Sequence, residues 1–218
     1  PAPQGPPRLL VLSAQIGYIE PCGCTVDLLL GGIDRVKTVI DAERREGPTA
    51  VLVVGPHLFE RAPEAHMVGQ EEAKAKLIAR GLRAIGVDAV APSPIELARG
   101  RPFYAALFDA DWPDVTANVA GGTGRVIELG ALRVGVFGLA PSGAEVPAGT
   151  TSDPIGAASA EVIRLRAAGA QVVIGLGALP RAELRAAARA IAGVDLWVLG
   201  DHPEEAAQAS PAGESYII

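Results

Sequence analysis

Cysteine, aromatic residues and excess basic charge are all in short supply in this chain. Among 218 residues there are two Cys, and Phe, Trp and Tyr together make up 4%. At that length, with 49% hydrophobic residues, a domain buries most of its apolar surface without disulfide or metal staples, so a stapled mini-scaffold is excluded. Lys and Arg number 19 against 25 Asp and Glu, for a formal charge of −6. Nucleic acids and anionic membranes require clustered cations that displace counterions, and no such cluster is present. No apolar run approaches roughly 18 residues, so a transmembrane segment is not expected. The N-terminus lacks the charged-then-apolar pattern of a signal peptide, which leaves a removed signal open. Residues 1–7, Pro1-Ala2-Pro3-Gln4-Gly5-Pro6-Pro7, read as a stiff Pro-rich tether of the kind that leads an exported, periplasmic or lipid-anchored domain, and residues 8–218 read as one domain.

What is present is a repeated α/β signature. A helical pattern runs into Gly and then into a β-branched run at Asp41 to Gly47 before Ala50–Gly55, at Glu71 to Gly86 before Val87–Ala91, at Ser159 to Gly169 before Gln171–Leu176, and at Arg181 to Gly193 before Val194–Gly200. Each Gly suits the left-handed residue that closes a helix. A first strand, Arg8–Ser13, leads through a long loop to a helix at about Ile33–Glu46. The segment 124–138 alternates on both sides of Gly130-Ala131 and predicts an antiparallel hairpin, so the sheet arrangement is mixed. Tyr216-Ile217-Ile218 reads as β, which suggests a continuing sheet.

The most distinctive local feature follows strand one: Tyr18-Ile19-Glu20-Pro21-Cys22-Gly23-Cys24. Both cysteines of the chain stand one Gly apart, Pro21 stiffens the approach, and Gly23 frees the backbone to aim two sulfurs together. Two thiolates suit a soft ion such as Cu(I), or Zn with ligands from elsewhere, and the same pair can instead cycle between dithiol and a strained, easily reduced disulfide. Packing of two small residues in a tight loop is the plain alternative. Of the three histidines, His57 and His202 directly follow predicted strands, in Gly55-Pro56-His57 and Gly200-Asp201-His202, and such strand ends gather on one edge of an open α/β sheet. Glu20, His57, Asp201 and His202 are therefore candidate helper ligands for the thiols, although a surface loop is the simpler reading of either His alone. His66 lies in a polar connection and is expected to be solvated. Asn118 is placed either to orient a ligand or to cap a turn. Gly175-Leu-Gly177-Ala-Leu-Pro180 has the strand-to-helix setting of a dinucleotide fingerprint, but Pro180 replaces its third Gly and argues against nucleotide binding there. Ser13 has no His and Asp in a nucleophile-elbow context, so serine hydrolysis has no support.

In order, Gly31-Gly32-Ile33-Asp34-Arg35, Gly86-Val87-Asp88-Ala89-Val90, Thr116-Ala117-Asn118-Val119, Leu132–Leu139 and Asp153-Pro154-Ile155 through Leu176 resemble the metallophosphoesterase superfamily, in its exported 5′-nucleotidase-like branch. The Glu-Pro-Cys-Gly-Cys box resembles a subgroup of that branch. The resemblance implies an αββα sandwich of mixed sheets that stops short of its last strands at Ile218. It also implies two metal ions held by Asp, His and Asn at strand ends, where they bind a phosphate and activate water. This chain departs from that pattern: Ala14-Gln15-Ile16 stands for D-x-H, Gly55-Pro56 for G-D, Ser93-Pro94-Ile95-Glu96 for G-N-H-[DE], Ala178 for a lone His, and Gly200-Asp201-His202-Pro203 for G-H-x-H. Asn118 persists as a vestige. Ala, Ile and Pro cannot ligate a hard cation, so no dinuclear centre is expected, and the sequence points to a non-hydrolytic domain whose thiols do the chemistry. An envelope redox or protein partner follows from that expectation, residual phosphoester hydrolysis and a docking role for Val26–Leu30 are the rivals, and a monomer or an oligomer is left open.

Overall fold

The computed structural model describes residues 5–13, 15–20, 32–141, 146–200 and 209–218. Strand β1 (Arg8–Ser13) and helix α1 (Ile33–Glu46) coincide with the sequence expectation, and β2 (Thr49–Gly55), α2 (Val68–Ile85) and β3 (Ala89–Pro92) continue the alternation. Two short helices, α3 (Pro94–Leu97) and α4 (Arg101–Ala105), precede the hairpin of β4 (Arg125–Leu129) and β5 (Leu132–Leu139). The chain then runs through α5 (Pro154–Ala167), β6 (Val172–Gly177), α6 (Arg181–Ala190), β7 (Leu196–Leu199), β8 (Ser210–Ala212) and β9 (Ser215–Ile217).

The strands form a three-stranded sheet, β1-β2-β3, and a six-stranded sheet, β4-β5-β6-β7-β9-β8. Among the described residues the smaller sheet is parallel throughout, while the larger is mixed: β4 pairs antiparallel with β5, and β8 with β9. Residue alternation explains the layering. On β2, Ala50, Leu52 and Val54 face the second sheet, packing with Val134, Val136, Ile174 and Leu176, whereas Val51 and Val53 face Ile40 of α1 and Ile78 and Leu82 of α2. On the far side, Phe137, Val173 and Trp197 carry Val162 and Leu165 of α5 and Leu184 of α6. The result is an αββα sandwich in which β2 is buried on both faces, as its unbroken apolar run requires.

Three of the four helix-closing glycines adopt the left-handed conformation, at Gly86, Gly169 and Gly193. Gly47 does not: its φ is −167°, and it is needed for a different reason, since a Cβ there would lie 2.6 Å from the carbonyl oxygen of Pro6. The Gly-x-Gly at 175–177 is also a packing device. A Cβ on Gly175 would meet the Trp197 ring at 2.3 Å, and one on Gly177 would meet Leu184 at 2.4 Å. The glycine spacing that resembles a phosphate cradle is spent on seating an indole and a leucine.

Candidate functional site

The carboxyl ends of β1, β2 and β3 meet on one edge, and the loops leaving them are tied together. Ile16 N–H donates to the Pro56 carbonyl at 2.8 Å and Gly17 N–H to that of His57 at 3.4 Å. Ile16 is the only described non-glycine residue with positive φ, at 40°. A β-branched side chain in that region is a genuine strain of about 1–3 kcal/mol, held by the bonds on either side. This strained turn opens the loop that carries Glu20 and then the two cysteines. Glu20 is exposed. Cys22, Cys24, Asp201 and His202, together with the apolar Val26–Leu30 stretch, lie outside the described residues.

Below this rim sits a buried polar cluster. Glu96, 1% exposed, accepts from His57 N–H at 2.6 Å and Leu58 N–H at 2.9 Å with one carboxylate oxygen, and from Ser93 N–H at 2.6 Å and the Ser93 hydroxyl at 2.8 Å with the other. Ser93-Pro94-Ile95-Glu96 is a capping box opening α3, with Pro at the first helical position. A serine three residues ahead of a glutamate is a signal visible in the sequence, and it identifies Glu96 as an architectural carboxylate that fixes the turn after β2.

His57 is a core residue rather than the surface-loop residue its sequence context suggests: it is 0% exposed. Its Nδ1 lies 2.9 Å from the Gly55 carbonyl. A carbonyl only accepts, so Nδ1 carries a proton and Nε2, in the neutral ring, is the acceptor. Nε2 faces the hydroxyl of Tyr104 at 3.5 Å, and that hydroxyl accepts from Trp112 Nε1 at 3.2 Å. Burial, with the charges of Asp114 and Glu96 beside it, pushes the Tyr104 phenol well above its usual range and keeps it a neutral donor. To serve as a ligand at the rim, His57 would have to leave this partner and reach solvent through the loop that covers it.

Asn118 is fully buried as well, and its amide is a clamp. Oδ1 accepts from Ala140 N–H at 2.9 Å, while Nδ2 donates to the Ala140 carbonyl at 2.7 Å and the Ser152 carbonyl at 3.2 Å. The side chain stitches the end of β5 to the segments at 116–119 and 152. Of the two sequence readings, the structural one describes these bonds.

Beside the rim, the β2–α2 connection encloses a depression of about 320 Å³ lined by Glu60, Glu64, His66, Met67, Glu71 and Lys74. His66 is exposed there, as expected. Lys74 connects this depression to the cysteine-bearing loop, because a Cβ on Gly17 would lie 3.0 Å from Lys74 Nζ.

Two hard cations need several oxygen and imidazole ligands converging from strand ends. At the described positions the chain offers Gln15, Ile16, Pro56, Ile95 and Ala178, and both Glu96 and Asn118 are consumed by internal hydrogen bonds. Among the described residues no cluster of three or more His, Cys, Asp or Glu is placed to hold a metal. The described residues at these positions do not by themselves make up a dinuclear hydrolytic centre.

Comparison with solved structures identifies the architecture. The chain superposes on a 5′-nucleotidase precursor from Thermus thermophilus with a TM-score of 0.75 and 20% identity, over 96% of this chain and 48% of that one. It matches the calcineurin-like phosphoesterase YfkN from Bacillus subtilis with a TM-score of 0.69 and 16% identity, over 96% and 80% of the two chains. A sulfate thiohydrolase, SoxB, from Thermus thermophilus gives 0.67 and 21% identity, over 87% and 38%. No protein-family model and no curated protein matches the sequence. The fold is shared with these solved 5′-nucleotidase and calcineurin-like phosphoesterase structures. The chain spans about half the length of the nucleotidase precursor.

Proposed function

We propose that this is a non-hydrolytic metallophosphoesterase-fold domain in which Cys22 and Cys24 serve thiol redox chemistry or bind a soft metal ion, Cu or Zn. The observation that carries the reading is the commitment of Glu96 and Asn118, the surviving polar residues at described ligand positions, to backbone hydrogen bonds. Each oxygen of the Glu96 carboxylate accepts two bonds, and the Asn118 amide is engaged through both its oxygen and its nitrogen, so the two side chains hold turns together. The sulfur pair follows the strained turn at Ile16, in the loop after the first strand. Glu20, Asp201 and His202 remain the helper groups of the proposal, and the buried His57 acts as a positioning residue in the turn after β2.

In the redox form, the dithiol gives two electrons and two protons to a partner disulfide and becomes the Cys22–Cys24 disulfide, while the partner becomes a dithiol. An exported setting, periplasmic or lipid-anchored, is proposed with it, because disulfides persist in such compartments. Among the described residues no helix is long and apolar enough to cross a membrane.

Thiol counting by maleimide labelling and mass spectrometry across a dithiothreitol redox series tests the redox form. Titration of the reduced protein with Cu(I) and Zn²⁺ tests the metal form, with Cys22→Ser/Cys24→Ser as control. The expected result is reversible loss of two reactive thiols or thiol-dependent metal binding; neither occurring overturns the proposal. Turnover of adenosine monophosphate or p-nitrophenyl phosphate with Mn²⁺ above a protein-free blank would instead establish hydrolysis.

A further inference from the structure

We infer that the open edge of β1 is a docking site for an extended segment of a partner polypeptide, apolar on both faces, which adds to the smaller sheet as a fourth strand. The inference is independent of the thiols.

A sheet edge presents unpaired N–H and C=O groups, and the outer strands of the two sheets deal with them differently. β3 is covered: Val90 N–H donates to the Pro113 carbonyl at 2.8 Å, and the Val90 carbonyl accepts from Val115 N–H at 3.0 Å. β4 carries Arg125 and Glu128, both exposed. β8 has three residues, and the middle one is Pro211, which has no N–H to offer. β1 has none of these devices. Its six residues include no proline, and Leu9 to Ser13 carry no charge. Arg8 N–H donates to the Pro48 carbonyl, so in the parallel ladder residues 8, 10 and 12 point their backbone groups at β2, and residues 9, 11 and 13 point theirs outward. Among the described residues no strand or loop pairs with that outer row.

The side chains around this edge are uncovered on both layers. Val11 alternates with Leu10 and Leu12, which pack on the helix side, so it shares the interlayer face with Leu9. Tyr216 is in register with Leu196, which packs on the same interlayer cluster, and Ile218 returns to that face two residues on. Val39 stands one turn before Glu43, whose carboxylate holds Arg8, and so lies on the β1 flank of α1. Val11, Val39, Tyr216 and Ile218 are 38%, 58%, 56% and 43% exposed, four of the eight large apolar side chains that the described residues leave exposed. The interlayer core therefore continues through Leu9 and Leu196 into an open apolar slot.

The slot specifies its occupant. Val39 on one side, Tyr216 and Ile218 on the other, and a row of free backbone groups between them suit a strand that buries both faces, the pattern of β2. A helix has no free backbone groups to give the edge, and a polar strand would leave all four side chains in contact with water. A second copy has no strand to offer. Its β3, β4 and β8 edges are blunted as described. β2 lies over β6 and β7 and β3 over β5, so the β8–β9 hairpin of each copy projects past its own β1 and blocks an approach of one β1 to another.

The probe is a synthetic peptide with the sequence of Thr49–Gly55 between terminal lysines, added to the 218-residue protein, with amide hydrogen exchange read by NMR. The amides of Leu9, Val11 and Ser13, fast in the free protein, should gain at least about tenfold protection, while those of Leu10 and Leu12 stay slow throughout. Peptide affinity should fall at least about tenfold in Val11→Lys and in Tyr216→Lys. Urea unfolding checks that each variant is folded, and Tyr216, exposed on the other sheet, carries the test if Val11→Lys does not fold. Unchanged exchange at residues 9, 11 and 13, an equal gain with a peptide carrying Leu52→Pro and Val53→Pro, or unchanged affinity in Tyr216→Lys and any folded Val11→Lys overturns the inference. So does sedimentation that shows a peptide-independent dimer protecting the same three amides, since a second copy would then occupy the edge.

Discussion

The two sheets end on the same edge but finish their strands differently. After β2 and β3 of the smaller sheet come His57, Ser93 and Glu96, all buried and joined through one carboxylate. After β6 and β7 of the larger sheet come Ala178, Leu179 and Gly200, which are small or apolar. The larger sheet is held by shape: Trp197 fills the space left by Gly175 and meets Phe137 edge-on at 5.5 Å, at the cost of an indole N–H with no partner among the described residues. The difference teaches that polar groups after β2 and β3 are turned inward to build a rigid turn, whereas the described residues after β6 and β7 are held by packing.

The largest expected effect breaks the polar half. Glu96→Ala strands three backbone N–H groups and a hydroxyl in a buried site, and should cost about 4 kcal/mol in urea unfolding. Glu96→Gln should cost clearly less, because an amide keeps one acceptor oxygen. Asn118→Ala, which removes the clamp between the end of β5 and residue 152, should cost about 2–3 kcal/mol by the same measurement. Gly175→Ala attacks the packed half. Its new methyl collides with the Trp197 ring and should cost about 2 kcal/mol, with a changed near-ultraviolet circular dichroism band from the displaced indole, whereas Glu96→Gln leaves that band intact.

The smallest effect is a pH dependence confined to the larger sheet's side. Burial works against the Glu161 carboxylate, but hydrogen bonds from Arg164, from Gly124 N–H and from Thr123 hold it below its usual value. A lowered folded-state pKa contributes stability that is present above the unfolded value and lost as pH falls through the folded one. Glu161→Gln should therefore be less stable than wild type at neutral pH by under about 1 kcal/mol, and the gap should close on acidification from about pH 5 to about pH 3 in acid-urea titration.

The fold was largely legible in the sequence because its punctuation is local. β1 and α1 stand where the Leu-rich apolar run and the helical pattern place them, and the hairpin turns at Gly130, with φ 65°. β8 and α4 were not legible, since three to five residues carry too little pattern to separate a strand or a turn of helix from a loop. The site was harder. A histidine after a strand reads as a loop residue until tertiary structure covers it, so the burial of His57 had no local sign. Glu96 did have one, the Ser-x-x-Glu spacing, overshadowed by its alignment with a metal-binding box.

Gly55 ends β2 with φ 84°, and a Cβ on it would overlap the carbonyl oxygen of Gly200 at 1.9 Å. Backbone therefore lies on backbone where the end of β2 meets Gly200, with no side chain between them to act as a compressible spacer. The separation of Gly55 and Gly200 is set by the contact of their backbones. A bulkier residue at either glycine would force the end of β2 away from Gly200, so the seam works as a fixed gauge of the spacing between the two sheets at this edge.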